Sequence, residues 1–202
     1  VAQRGGLLDL SGLTSISANT FGYITYIEAY GGGQVKLPNV TTFTDNAVRV
    51  YAQDAGSSID LSGLQSWSGL APASGIRSSL EAKDSTTINV GQLTTLDNVD
   101  LTLRGSAAVA TSQITAFTSA SIFLDNHAAN FSGLTSFVNQ RLILDGIDAS
   151  IDLHNLTNID GSSFDVKNTA QLAFPQIHSY SAGNTTAYRY LQAESGGVLD
   201  LS

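Results

Sequence analysis

Cysteine and methionine are both absent from this 202-residue chain, tryptophan occurs once and proline three times. Without cysteine there is no disulfide framework and no thiolate to hold a metal or act as a nucleophile. At this length one domain buries enough apolar surface to fold with neither. The missing initiator methionine implies a mature or excised piece of a longer protein. Charge is scarce as well, 13% of residues, and it leans one way: nine Lys and Arg against seventeen Asp and Glu, a formal charge of −8. That balance argues against an electrostatic footprint for nucleic acid or an anionic membrane, and against polyanionic partners in general. No apolar run approaches the ~18 residues of a membrane helix, and no basic segment before an apolar core marks a signal peptide. Helix itself is poorly supported, because no window of about a dozen residues carries an i, i+3, i+4, i+7 apolar stripe.

What the chain has is abundant Gly, Ser, Thr, Asn and Asp, and one phrase that returns along its whole length. The phrase is apolar, polar, apolar, two turn-like residues, apolar, Thr or Ser, a spacer and a last apolar residue. Its clearest copies are Leu8-Asp-Leu-Ser-Gly-Leu-Thr-Ser-Ile16, Val35-Lys-Leu-Pro-Asn-Val-Thr-Thr-Phe43, Ile59-Asp-Leu-Ser-Gly-Leu-Gln-Ser-Trp67 and Ile151-Asp-Leu-His-Asn-Leu-Thr-Asn-Ile159. Weaker copies begin at Ile88, Val109, Ala129 and Leu172, and a ninth opens at Leu199, with successive starts 20 to 29 residues apart. A second alternating segment precedes each copy. Period-2 alternation places its Ala29, Ala52, Ala82, Leu103, Leu124, Leu144, Val166 and Ala193 in one inward column, and the first and third motif positions in another.

These signals predict an all-β chain, a single β-solenoid domain over residues 1–202, with about eight to nine coils of 20–29 residues. Parallel crossovers make a right-handed β-helix the expected hand. Inside the motif Gly12, Asn39, Gly63, Gly133 and Asn155 share one position, which predicts a sharp corner with positive φ, although Gln92, Gln113 and Gln176 fill that place elsewhere.

The hydrophobic rungs with Gly, Asn and Asp corners resemble the parallel β-helix (β-solenoid) repeat regions of bacterial surface and autotransporter-type adhesins. Leu37-Pro-Asn-Val-Thr-Thr-Phe43 also resembles a bacterial surface leucine-rich repeat, whose expected upstream leucine is replaced here by Gly32. The adhesin resemblance implies a secreted or cell-surface location. Both ends stand at one phase of a coil, Ala2-Gln-Arg-Gly-Gly-Leu-Leu-Asp-Leu-Ser11 and Ala193-Glu-Ser-Gly-Gly-Val-Leu-Asp-Leu-Ser202, so neighbouring coils of a longer array are expected partners.

Coil length marks where function could sit. The distance from the motif's last apolar residue to the next inward column is 13, 9 and 15 residues in the first three coils, 7 in the next four and 13 in the last. The insertions all leave at one corner, and the long coils hold every tyrosine and the one tryptophan. Tyr23, Tyr26, Trp67, Tyr188 and Tyr190 are therefore the candidate residues for binding a glycan or protein by ring stacking; roofing the long loops as small satellite cores is the competing use. At ~4.8 Å per rung, the inserts of the third and last coils stand roughly 20 Å apart, too far to line one small pocket.

Other chemistry has less support. A β-helix polysaccharide lyase or hydrolase needs paired carboxylates beside a cation, and the nearest pattern is Asp125 with Asp145, between Arg104 and Lys167. The same pair is a weak metal candidate, and both aspartates read first as turn formers. Thr14, Thr41, Thr94, Thr115, Thr135 and Thr157 recur in one column, by resemblance an ice-binding face, but Gln65 and His178 interrupt it. His127, His154 and His178 lack metal-ligand spacing and read as solvated corner residues. The balance is a non-catalytic structural or adhesive module needing no cofactor, with a carbohydrate-active enzyme and an ice-binding face as alternatives.

Overall fold

The computed structural model describes residues 1–16, 24–70, 77–183 and 188–201. Alternation of one inward and one outward residue makes each repeat segment a short strand. Because a lone coil cannot bury its apolar side, the strands stack in register on those of the neighbouring coils. Among the described residues 22 strands form, numbered β1 to β22 in chain order, with every ladder parallel and no helix.

They fall on three faces. The first face is one nine-stranded sheet of β1 (Ala2–Gln3), β3 (Thr25–Tyr30), β6 (Val48–Gln53), β9 (Ser78–Ala82), β12 (Val99–Arg104), β15 (Ser121–Asp125), β17 (Arg141–Asp145), β19 (Ser163–Lys167) and β21 (Leu191–Glu194). The second face stacks β2 (Leu7–Asp9), β4 (Gln34–Lys36), β7 (Ser58–Asp60), β10 (Thr87–Asn89) and β13 (Ala108–Val109), followed by the pairs β16 (Ala128–Asn130) with β18 (Ser150–Asp152) and β20 (Gln171–Ala173) with β22 (Val198–Asp200). The third carries β5 (Thr42–Asn46), β8 (Ser66–Gly69), β11 (Thr95–Asp97) and β14 (Ala116–Thr118), and then a parallel bridge between Ser136 and Asn158. The chain is thus a parallel β-solenoid of about eight turns.

Its core is a bundle of columns. Ala29 pairs with Ala52, Leu103 with Leu124, Leu124 with Leu144 and Val166 with Ala193, the expected inward column on the first face. Val35, Ile59 and Ile88 form the matching column on the second. The motif's last position makes an aromatic line: Phe43 meets Trp67 edge-on at 5.2 Å, and Phe117 stacks on Phe137 at 5.9 Å. Thr111 is the polar exception at a third motif position, buried with its hydroxyl donating to the Asn130 carbonyl at 2.6 Å.

The corners depart from expectation. In all eight motif turns an N–H donates to the carbonyl three residues back at 2.9 to 3.3 Å, and neither Gly12, Gly63, Gly133, Asn39 nor Asn155 has positive φ. The glycines serve close stacking instead: a Cβ on Gly133 would lie 2.6 Å from the Ile114 carbonyl oxygen of the coil beneath. Where an amide stands, it reaches down, Asn39 to the Ser11 carbonyl at 2.6 Å and Asn155 to that of Ser132 at 2.8 Å. The motif's outward carboxylates and amides brace the same turn, as in the Asp60 Oδ1 that accepts from the Ser62 N–H at 3.0 Å.

Positive φ belongs to the other two corners. Between the first and second faces it falls on residues such as Gly32 (80°), Gly56 (81°) and Asn126 (46°). Between the third and first faces, each of the four shortest connections turns through a single left-handed residue: Asn98 (55°), Ser119 (56°), Asn139 (59°) and Gly161 (65°). Buried polar side chains satisfy the backbone there: Gln140 Oε1 accepts from the Ala120 N–H at 2.7 Å, and Ser162 Oγ donates to the Phe137 carbonyl at 2.6 Å.

Candidate functional site

Two kinds of corner set side by side create a hollow. The short corners of Ser119 and Asn139 leave the start of β15 and β17 low, while longer connections flank them, one ending at Arg77 before β9 and one at Tyr188–Tyr190 before β21. Both flanks lean inward. Arg77 Nη1 donates to Asp100 Oδ1 and to the Ser119 carbonyl, each at 3.1 Å, and Arg189 Nη2 donates to Asn139 Oδ1 at 3.3 Å. Each guanidinium therefore spans two rungs, and together they close the ends of a cleft of about 430 Å³. Residues of both inserts line this one cleft, which corrects the expectation that they stand too far apart; the reach of two long side chains bridges the rungs.

The floor follows one outward column of the first sheet: Asp100, Ser121, Arg141 and Ser163, in line with Tyr190. Three rungs separate Asp100 from Ser163, about 14 Å along the solenoid axis. Asp100 Oδ1 accepts from the N–H and Oγ of Ser121 at 2.9 and 2.8 Å, which fixes it under Arg77. Arg141 grips Asp165 with Nε at 2.9 Å and Nη2 at 2.6 Å, and that carboxylate is buried beneath it. The lining thus presents Arg77, Arg141 and Arg189 against one lining carboxylate, Asp100, a local reversal of the chain's −8. Below the second insert Tyr180 donates to the Ser162 carbonyl at 2.9 Å. Burial pushes its phenol up, opposed by the charge of Arg189.

The candidate aromatics separate into four situations. Tyr188 and Tyr190 stand together at the mouth of the cleft, 84% and 50% exposed. Tyr26 is also exposed and shares the column of Tyr190, but seven rungs away, about 34 Å. Trp67 is fully buried, its ring against Phe43, so it offers no surface for a ligand. Tyr23 lies outside the described residues. Of the remaining tyrosines, Tyr30 and Tyr51 pack at 5.3 Å near the opposite corner, with Lys83 and Arg49 over the Tyr51 ring.

Asp125 and Asp145 are register partners, yet their oxygens are engaged within the fold: Asp125 by Arg104 Nη1 at 2.8 Å and Asn126 Nδ2 at 3.0 Å, Asp145 by Asn168 Nδ2 at 2.6 Å. Lys167 pairs with Glu194 at 2.9 Å. Among the described residues no group of three or more His, Cys, Asp or Glu is placed to hold a metal. His127, expected in solvent, is buried with Nδ1 2.8 Å from the Gly105 carbonyl, because it takes the place in its coil that Thr86 and Ala107 fill in the coils below. In the threonine column, Thr94, Thr115 and Thr157 donate their hydroxyls to carbonyls of the preceding coil at 3.2, 3.4 and 3.1 Å.

The arginines are what reading the sequence overlooked. Three of the nine cations line one cleft although they come from different coils. Aligning the coils on their first-face strands would have shown the signal, since Arg77, Arg141 and Arg189 each stand one to three residues ahead of one apolar column, that of Leu80, Leu142 and Leu191. Comparison of the chain with protein-family models, curated proteins and solved structures finds no match.

Proposed function

We propose that this solenoid is a stiff structural module of a secreted bacterial surface protein of the adhesin kind, and that it binds glycan in the cleft between its two inserts. The observation that carries the reading is the pairing of two exposed tyrosine rings, Tyr188 and Tyr190, with a polar floor that runs along the axis for several rungs. Tyrosine faces stack on sugar rings, and an axial row of hydroxyls, carboxylate and guanidinium groups matches the repeating hydroxyls of a linear polymer. A continuous nine-stranded sheet holds the floor residues at fixed spacing, so little ordering is needed on binding.

Binding to a panel of polysaccharides tests it, with wild type, a Tyr188→Ala/Tyr190→Ala variant and Tyr26→Ala compared by calorimetry. The expected result is a ligand whose affinity falls at least about tenfold in the double variant and holds in Tyr26→Ala. Binding that persists in the double variant would place recognition elsewhere, and no binding to any polymer would leave only the structural role.

A further inference from the structure

We infer that the cleft selects a glycan bearing a carboxylate, which seats against Arg189; the inference rests on the glycan-binding reading above. Arg77 and Arg141 are each met by a carboxylate of the chain, at 3.1 and 2.6 Å. Arg189 is not. Among the described residues it forms no ion pair, and its bonds are two long contacts to neutral acceptors, Asn139 Oδ1 at 3.3 Å and the Tyr188 carbonyl at 3.5 Å. Its Nε is shut off from solvent with no acceptor among the described residues.

A guanidinium carries five N–H donors in a planar fork that fits a carboxylate through two parallel bonds. At Arg189 those two neutral contacts orient the fork without neutralising it, and its chain neighbours Tyr188 and Tyr190 are exposed and line the same cleft. A sugar ring stacked on either tyrosine would bring a carboxylate on that ring within reach of the fork. The charge of the rest of the chain sets the kind of ligand. At −8 the protein repels a densely charged polymer along its length, while screening beyond about 8 Å lets one carboxylate at one subsite respond to the local charge. A short acidic oligosaccharide, or a polymer with widely spaced acids, fits; nucleic acid does not.

The test titrates short oligosaccharides of glucuronate, galacturonate and mannuronate, each beside its carboxyl-reduced counterpart, into wild type, Arg189→Gln, Arg189→Lys and Tyr188→Ala. Circular dichroism first checks that each variant keeps the wild-type β signal. The expected result is at least one acidic form that binds wild type roughly tenfold more tightly than its reduced form. Arg189→Gln should abolish that preference, and Arg189→Lys should keep part of it. If acidic and reduced forms bind alike, with no change in Arg189→Gln and a loss of both in Tyr188→Ala, the carboxylate inference falls and the glycan reading stands. If no oligosaccharide of either kind binds, the carboxylate inference falls, and the polysaccharide panel above decides the glycan reading.

Discussion

Replacing Gly133 by alanine separates two reasons for a glycine in the motif turn. If the turn needed a left-handed residue, alanine would be strained in every coil; if glycine is there because the coils stack closely, only coils with another beneath would suffer. The φ of Gly133 is not positive, and a Cβ on it would stand 2.6 Å from the Ile114 oxygen and 2.7 Å from that of Ser112. Ordinary contact begins near 3.4 Å, so those carbonyls would have to retreat by most of an ångström. Overpacking of this kind costs about 1–3 kcal/mol, and loss of glycine's freedom in the unfolded chain returns about 0.4–1, so the net loss is about 1–2 kcal/mol. Gly12 holds the same motif position with nothing among the described residues within 4 Å of a built Cβ, and alanine there should be neutral or stabilising. Urea unfolding followed by circular dichroism reads both: the Gly133→Ala midpoint should fall by roughly 0.5–1 M, and that of Gly12→Ala should not fall. Equal losses in the two variants would refute the stacking argument and restore a conformational demand at this corner.

Three further outcomes are expected. Trp67, the sole tryptophan and 0% exposed, should emit as a buried indole and resist acrylamide, and Trp67→Ala should cost about 3–5 kcal/mol; a water-exposed emission spectrum would contradict its placement. Arg141→Met strands the 3%-exposed Asp165, at a cost of about 2 kcal/mol once the half-exposed position of Arg141 is allowed for, and adding Asp165→Asn should recover most of it; a double variant no better than the single one would count against the ion pair as the cause. Burial, with Glu28 beside it, pushes the Tyr30 phenol up from 10.0 to about 12. A pKa raised by folding stabilises fully below the unfolded value and is lost as pH rises, so the contribution should disappear between pH 10 and 12. Ultraviolet titration should show a tyrosine step near pH 12 that Tyr30→Phe removes, and persistence of that step would assign it elsewhere.

The inward columns were legible because a period of two leaves no freedom once one face is buried: shifting Leu8-Asp-Leu10 by one residue would put Asp9 inside. Coil length was legible for the same reason, since each copy of the motif must fall in register with the last. Glycine was ambiguous, since it signals both positive φ and a missing Cβ; at Gly133 the second applied, and two of the left-handed corners fell on single residues, Ser119 and Asn139, that no pattern announces. Trp67 was counted among the binding candidates because its coil is long, although its place at the end of the motif, where Phe43 also stands, already put it in the core. The cleft was illegible for a different reason. Its arginines are 112 residues apart from first to last in sequence, and only the stacking of unequal corners brings Arg77 and Arg189 over the same floor.

That floor carries a local conflict between stability and recognition. Asn139 adopts φ 59°, a left-handed conformation that glycine takes without strain, and a Cβ on Gly161 in the next corner would collide with the Asn139 amide. The fold therefore keeps a mildly strained backbone at Asn139 and makes room for its side chain above. What the asparagine supplies is Oδ1, the acceptor for Arg189 at 3.3 Å. Asn139→Gly should then raise the urea midpoint, by up to about 1 kcal/mol of stability, while the freed Arg189 loses its aim and acidic-oligosaccharide affinity drops several-fold. Unfolding and calorimetry on the same sample read the two effects. A loss of stability in Asn139→Gly would show that the amide braces the corner itself, and the trade-off would have to be abandoned.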